Sequence, residues 1–108
     1  MTTRPWRTEA EIAQSLIRNA PFTLTTSGDT AETAVTLVGR MEEGVKFSFV
    51  VETNDLYVAF DETATSSSML VPAGTGFFDE NVYIGSFISV INATAGSNGR
   101  IRGIVWGR

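Results

Sequence analysis

The sequence predicts an all-β protein, a jelly-roll-like sandwich of seven or eight short antiparallel strands behind an N-terminal arm and one short helix. Three observations predict it. Most of the chain alternates apolar and polar residues with a period of two, turn residues recur between these runs, and only one segment carries a helical stripe. At 108 residues the chain is one domain. A chain of this size can bury roughly 65% of its unfolded surface, enough for one core. The expected division is an arm and helix over 1–20 and a sandwich over 21–108.

Residues 1–7, MTTRPWR, read as an extended arm, because Pro5 biases Arg4 away from helix. Trp6 is a large ring in a segment with no partner strand. It either packs on its own domain or anchors the arm on another subunit. Residues 8–19, TEAEIAQSLIRN, read as the helix. Thr8 and Glu11 have capping-box spacing, and Ile12, Ala13, Leu16 and Ile17 form a stripe. Glu9 and Glu11 suit the positive helix start, Arg18 suits its end, and Pro21 stops it.

Beyond Pro21 the pattern is β. Residues 22–27 place Phe22, Leu24 and Thr26 on one face, and Ser27-Gly28-Asp29 turns the chain. Residues 32–39 alternate weakly. Residues 45–52 align Val45, Phe47, Phe49 and Val51, and residues 55–60 align Leu56, Val58 and Phe60. Closing these two as a hairpin sets Val51 against Leu56, Phe49 against Val58 and Phe47 against Phe60, which would fix register. Residues 66–71 form a strand ended by Pro72-Ala73-Gly74. Residues 76–85 are short and turn-like at Asp79-Glu80-Asn81. Residues 86–92 are apolar on both faces, as in a central strand. Residues 100–107 place Ile101 and Val105 on one face and Ile104 and Trp106 on the other. The expected core is Leu24, Phe47, Phe49, Val51, Leu56, Val58, Phe60, Ile88, Val90, Ile101 and Val105.

The composition narrows the chemistry. Cysteine and histidine are both absent, and Lys46 is the single lysine. Disulfides, thiolate nucleophiles and the usual proton shuttle near neutral pH are therefore missing. Ser66, Ser67 and Ser68 would need a base to act as nucleophiles. No G-x-S-x-G elbow exists, and Lys46 is expected to point away from its strand's apolar face. The serines read as loop and exposed strand, and the chain as no enzyme, with no cofactor and no metal. Asp61-Glu62 and Asp79-Glu80, with Asn54, Asn81 or Asn98, could ligate calcium, but the spacing is not that of an EF-hand and turn acids suffice. Trp106 and Tyr57 could stack on a sugar or cap the core. Asn92-Ala93-Thr94 matches a glycosylation sequon, which matters only on a secretory route, and the polar N-terminus predicts no secretory signal.

Charge is uneven. Residues 21–99 hold ten of the twelve acids against Arg40 and Lys46, a local balance of −8, whereas residues 100–108 carry +3 through Arg100, Arg102 and Arg108. An acidic body predicts no nucleic-acid partner, and no apolar run is long enough to span a membrane as a helix. Basic ends on an acidic body could dock on a neighbouring copy. The expected interface residues are Arg4, Trp6, Arg7, Arg100, Arg102, Trp106 and Arg108, in a homo-oligomer, trimer before dimer.

The stretch DLYVAFDETATSSSMLVPAG, then FF, then GSFISVINATAGSNGRIRGIVWG resembles a pattern in small tailed-bacteriophage virion proteins. In that group a Tyr-Val-Ala-Phe strand precedes an Ala/Thr/Ser-rich loop, a Leu-Pro-Ala-Gly-like turn, an Ile-Ser-Val-Ile strand and a terminal strand. The matching residues are Leu56 to Phe60, Ala64 to Ser68, Met69 to Gly74 and Ile88 to Ala93, about the last half of the chain. Asp61 stands where the group commonly has glycine, and the basic, tryptophan-bearing end also departs. The resemblance implies a β-sandwich accessory protein of the virion: a capsid decoration (cement) protein bound to the major capsid protein, or a head-tail connector piece. A carbohydrate- or receptor-binding module of a phage fibre is the alternative.

Overall fold

The computed structural model describes residues 18–80 and 83–108. They form eight strands: β1 (Arg18–Thr25), β2 (Glu32–Thr36), β3 (Gly44–Thr53), β4 (Leu56–Phe60), β5 (Met69–Val71), β6 (Gly76–Asp79), β7 (Phe87–Asn92) and β8 (Arg100–Gly107). Two antiparallel sheets of four strands result. Sheet A has the order β1-β8-β3-β6 and sheet B the order β2-β7-β4-β5. Every consecutive pair of strands except β4 and β5 therefore changes sheet, and β4–β5 is the one pair of sequence neighbours that also pair in a ladder.

The β3–β4 hairpin is the main correction. β3 pairs with β8 and β6, β4 pairs with β7 and β5, and the two strands lie in opposite sheets. Their apolar faces still meet, but across the core rather than along a ladder. The Phe47 and Phe60 rings stand 4.8 Å apart, while Val51 pairs with Ile101 and Leu56 with Asn92. The loop chemistry explains the difference. A two-residue hairpin of the favoured kind needs a left-handed residue at one or both central positions and usually glycine. Here only Asn54 has positive φ, and the loop is held sideways. Asn54 Nδ2 donates to the Asn98 carbonyl at 2.6 Å, and Ala73 N donates to Asp55 Oδ1 at 2.8 Å. The connection is an arch between sheets, tied to the loops on either side.

The expected helix over 8–19 lies outside the described residues except at its end, where Arg18 and Asn19 are already extended in β1, ahead of the expected boundary at residue 21. Pro21 does not stop a helix. It sits inside β1, opposite Ile104, which is permitted because β1 is an edge strand and bonds only β8.

Nine of the eleven expected core residues are buried, and Leu24 and Phe60 pack against them half-buried. Phe47, Phe49 and Phe77 stack along sheet A with ring centroids 5.7–6.1 Å apart, and Phe60 tilts onto them from sheet B. Aromatic packing of this kind adds about 0.5–1.5 kcal/mol per pair beyond burial. Ala20, Phe22, Val35, Leu37, Met41, Val71 and Ile84 complete the core. Leu37 and Met41 belong to the β2–β3 loop; Leu37 continues the weak alternation of residues 32–39 from Val35, and Met41 lies beyond it.

Candidate interaction face

The serine-rich loop after β4 is structural. Ala59 and Ser89 pair across β4 and β7 on the outer side of sheet B, yet both are buried. The loop folds back over them. Ala64 N donates to Ser89 Oγ at 2.9 Å, and Ala64 is buried there. Small residues at all three positions let the loop lie flat. Thr65 N donates to Ser68 Oγ and Ser67 N to Thr65 Oγ1, so Thr65 and Ser68 cap the turn with their own hydroxyls. Lys46 lies on the outer side of the other sheet, away from these serines.

Asp61 holds the start of that loop. Its φ is 59°, a left-handed conformation that favours glycine. Its carboxylate accepts from Gly85 N at 2.7 Å, Ser86 N at 2.6 Å and Phe87 N at 3.2 Å. Burial pushes the carboxyl up, but the three backbone donors outweigh it and hold it below the usual aspartate value. A carboxylate aimed at three N–H groups is poorly placed for calcium. Among the described residues no group of three or more Asp and Glu converges as a metal site would.

Asn92 organises the opposite end of the sandwich. It accepts from Thr26 Oγ1, and its Nδ2 lies 3.0 Å from Gly28 O, Asp29 Oδ1 and Asn98 Oδ1. Thr26 Oγ1 in turn accepts from Gly99 N, and Asp29 Oδ1 from Gly96 N. The Gly96 and Asn92 donors, opposed by slight burial, hold Asp29 below its usual value. Asn92 is thus the buried hub that ties the β1–β2 loop to the β7–β8 loop, and its side-chain amide is engaged there rather than offered to a glycan.

The expected interface residues divide into three groups. Arg4, Trp6 and Arg7 lie outside the described residues. Arg108 closes the C-terminus onto the β2–β3 loop, with Nε 2.9 Å from Glu43 Oε1 and backbone bonds to Glu42 and Glu43. Arg100, Arg102 and Trp106 share the outer side of β8. Arg102 Nε donates to Glu52 Oε1 at 3.1 Å, and Arg100 Nε stands 3.4 Å from the same oxygen, an ion pair without a hydrogen bond.

Register places further residues beside them. Across the outer side of sheet A, one row runs Pro21, Ile104, Ser48, Phe78. The next runs Thr23, Arg102, Val50, Gly76, and on the other flank Trp106 stands opposite Lys46. Lys46 Nζ is 5.3 Å from the Trp106 ring centroid and 6.0 Å from that of Phe78, so one ammonium spans both rings. Phe78 is 54% exposed and Val50 37%. Between β8, β3 and β6 this side is shallowly hollowed, about 610 Å³, bounded by Val50, Phe78, Arg102 and Ile104. Ser48 supplies the one hydroxyl among its lining residues, and no acid lines it. Trp106 and Tyr57 lie on the outer sides of different sheets, so they cannot form one stacking platform. Sequence reasoning missed Lys46, Val50, Phe78 and Ile104 as parts of this face.

No protein-family model, no curated protein and no solved structure matches the chain. The arrangement of this face is therefore the functional evidence: aromatic and aliphatic side chains interleaved with cations, open and shallow, suited to contact with another protein surface.

Proposed function

We propose that this chain is a structural protein of a tailed-bacteriophage virion, a capsid decoration (cement) protein that binds the major capsid protein and its own copies through protein surfaces rather than by chemistry. The carrying observation is the outer side of sheet A, where Trp106, Ile104, Val50 and Phe78 alternate with Lys46, Arg100 and Arg102. Exposed aromatics beside arginine are the composition of interface centres. The jelly-roll reading draws support from the strand orders β1-β8-β3-β6 and β2-β7-β4-β5, since two four-stranded sheets interleaved by Greek-key crossings are the plan of that fold, which virus capsid domains use. The resemblance in the last half of the chain supports the phage setting. The chain's polar groups support a role without catalysis, because the serine, Asp61 and Asn92 clusters are all spent on holding loops.

Particle occupancy tests the proposal. Purified protein is added to heads lacking it, and bound copies are counted. A count matching the capsid lattice is expected. A count matching one vertex ring would assign the protein to the connector, and no binding would refute the virion reading. Ile104→Glu should lower occupancy while circular dichroism stays that of the folded domain. Glycan binding lost in Trp106→Ala would instead favour the fibre module.

A further inference from the structure

We infer that Asn98-Gly99 is a self-modification site, a deamidating pair that the folded sandwich holds unreactive and that opening of the Asn92 hub releases. The inference is independent of the virion reading. Asn98 is the one asparagine followed by glycine, whereas the others precede Ala20, Asp55, Val82 and Ala93. With no Cβ on the following residue, the backbone nitrogen reaches the asparagine side chain with least hindrance. The step is an intramolecular substitution. Gly99 N gives its proton to hydroxide and attacks Asn98 Cγ. The new C–N bond closes a succinimide, and the Cγ–Nδ2 bond breaks, its nitrogen leaving as ammonia with a proton from water. Water then opens the ring at either carbonyl and leaves aspartate or isoaspartate at 98.

The fold opposes each part of this step. Gly99 N donates to buried Thr26 Oγ1 at 2.9 Å, so the proton that must leave is held. Thr26 N donates in turn to Gly99 O at 2.9 Å, which fixes the glycine from its other side. Asn98 Oδ1 accepts from Asn92 Nδ2 at 3.0 Å, and the Asn98 carbonyl accepts from Asn54 Nδ2 at 2.6 Å, so its side chain and backbone are both tied. The glycine has its own reason to be there. A Cβ at 99 would stand 2.7 Å from Leu56 Cδ2 and 2.8 Å from the Thr53 carbonyl oxygen. The hub calls for asparagine, the close approach of the β3–β4 arch calls for glycine, and together they place a reactive pair in the chain. Reaction requires that this end of the sandwich open. It is also one-way. Asp29 Oδ1 and Asn98 Oδ1 each lie 3.0 Å from the same Asn92 nitrogen, so a carboxylate at 98 would stand beside that of Asp29. Isoaspartate also routes the backbone through the side-chain methylene just ahead of Gly99. Either product hinders reclosure.

Peptide mapping by mass spectrometry tests this on the full-length chain held in mildly alkaline buffer, with conversion followed at each asparagine. In urea above the unfolding transition Asn98 should convert first, and in the folded chain it should convert roughly tenfold more slowly or less. Thr26→Ala removes the acceptor for Gly99 N and should speed conversion in the folded state about 5- to 30-fold, while Thr26→Ser keeps it and should hold the parent rate. Where Thr26→Ala does not fold, the parent is read in rising urea below its transition. Gly99 amide exchange and Asn98 conversion should then rise together. Equal rates in the folded and unfolded parent would overturn the inference. So would a folded Thr26→Ala that converts at the parent rate, or conversion that does not follow Gly99 exchange. Purified deamidated chain should unfold at lower urea than the parent, and an unchanged midpoint would remove the one-way step.

Discussion

Asp61 separates two contributions that most positions confound. Its backbone is left-handed at φ 59°, and its carboxylate accepts three backbone N–H bonds from residues 85–87. A left-handed residue other than glycine costs about 1 kcal/mol. Hydrogen bonds to a charged acceptor contribute roughly 1.5–3 kcal/mol when shielded, but Asp61 is exposed, and water can take over the released donors. A discounted total of about 1.5–2 kcal/mol for the three is reasonable. Asp61→Gly loses the acceptor but relieves the backbone, so it should cost only about 0.5–1 kcal/mol. Asp61→Ala loses the acceptor and relieves nothing, and should cost about 2 kcal/mol. Urea unfolding of the three proteins measures both gaps. If Ala and Gly variants are equally stable, the backbone carries no cost. If Asp61→Gly is more stable than the parent, the carboxylate does not hold residues 85–87.

The same carboxylate predicts a pH dependence. Its folded pKa lies below its unfolded value. Its contribution is thus present above the unfolded value and is lost as pH falls through the folded one. The parent should therefore lose stability on acidification below about pH 4, the ordinary aspartate range. Asp61→Asn should show a flatter profile there, with the remaining slope due in part to Asp29. Parallel profiles for the two would sink the assignment.

Phe47 is fully buried against three other rings, so Phe47→Ala should cost about 3–5 kcal/mol by denaturant unfolding. Gly103 lies between Phe22 and Phe49 in the register, and a Cβ there would overlap the Ser48 carbonyl oxygen and stand 2.6 Å from Phe49 Cβ. Gly103→Ala should cost about 1–3 kcal/mol and lower the thermal midpoint in calorimetry. Asn92→Ala strips partners from buried Thr26 and from the Gly28 carbonyl, and should cost about 2 kcal/mol and speed amide exchange at Gly96 and Gly99.

Alternation in the sequence located β3, β4 and β8 and most of their inward residues, because burial on one side of a strand enforces a period of two, while a run apolar on both faces located β7. It could not say which strands are neighbours. Phe47 approaches Phe60 whether β3 and β4 pair along a ladder or face each other across a core, so the same apolar match fits both arrangements. The deciding information lay in Asn54 and Asp55, a loop lacking glycine whose side chains serve other loops. Only the first half of β1 was hidden, and differently: residues 22–25 alternate, but Pro21 interrupts helices far more often than it marks an edge strand. Met41 and Ile84 were hidden because they enter the core from a loop or an isolated bridge, where no periodicity operates.

The interaction face was half visible. Trp106, Arg100 and Arg102 were noticed for their type, each taken alone. What joins them to the rest is register, which brings residues 21, 48, 78 and 104 into one row from four separate strands. A fainter signal was nonetheless present. Within β3 the inward set is Phe47, Phe49 and Val51, so Val50 belongs to the set that faces outwards, with Lys46 and Ser48. Within β8, Ile104 and Trp106 stand on the wrong parity for the core that Ile101 and Val105 enter. An isolated apolar residue facing water is ordinary. Three of them on outward positions of two strands, joined by a fourth on β6, make a continuous patch flanked by cations, and that combination is what supports the proposed interface.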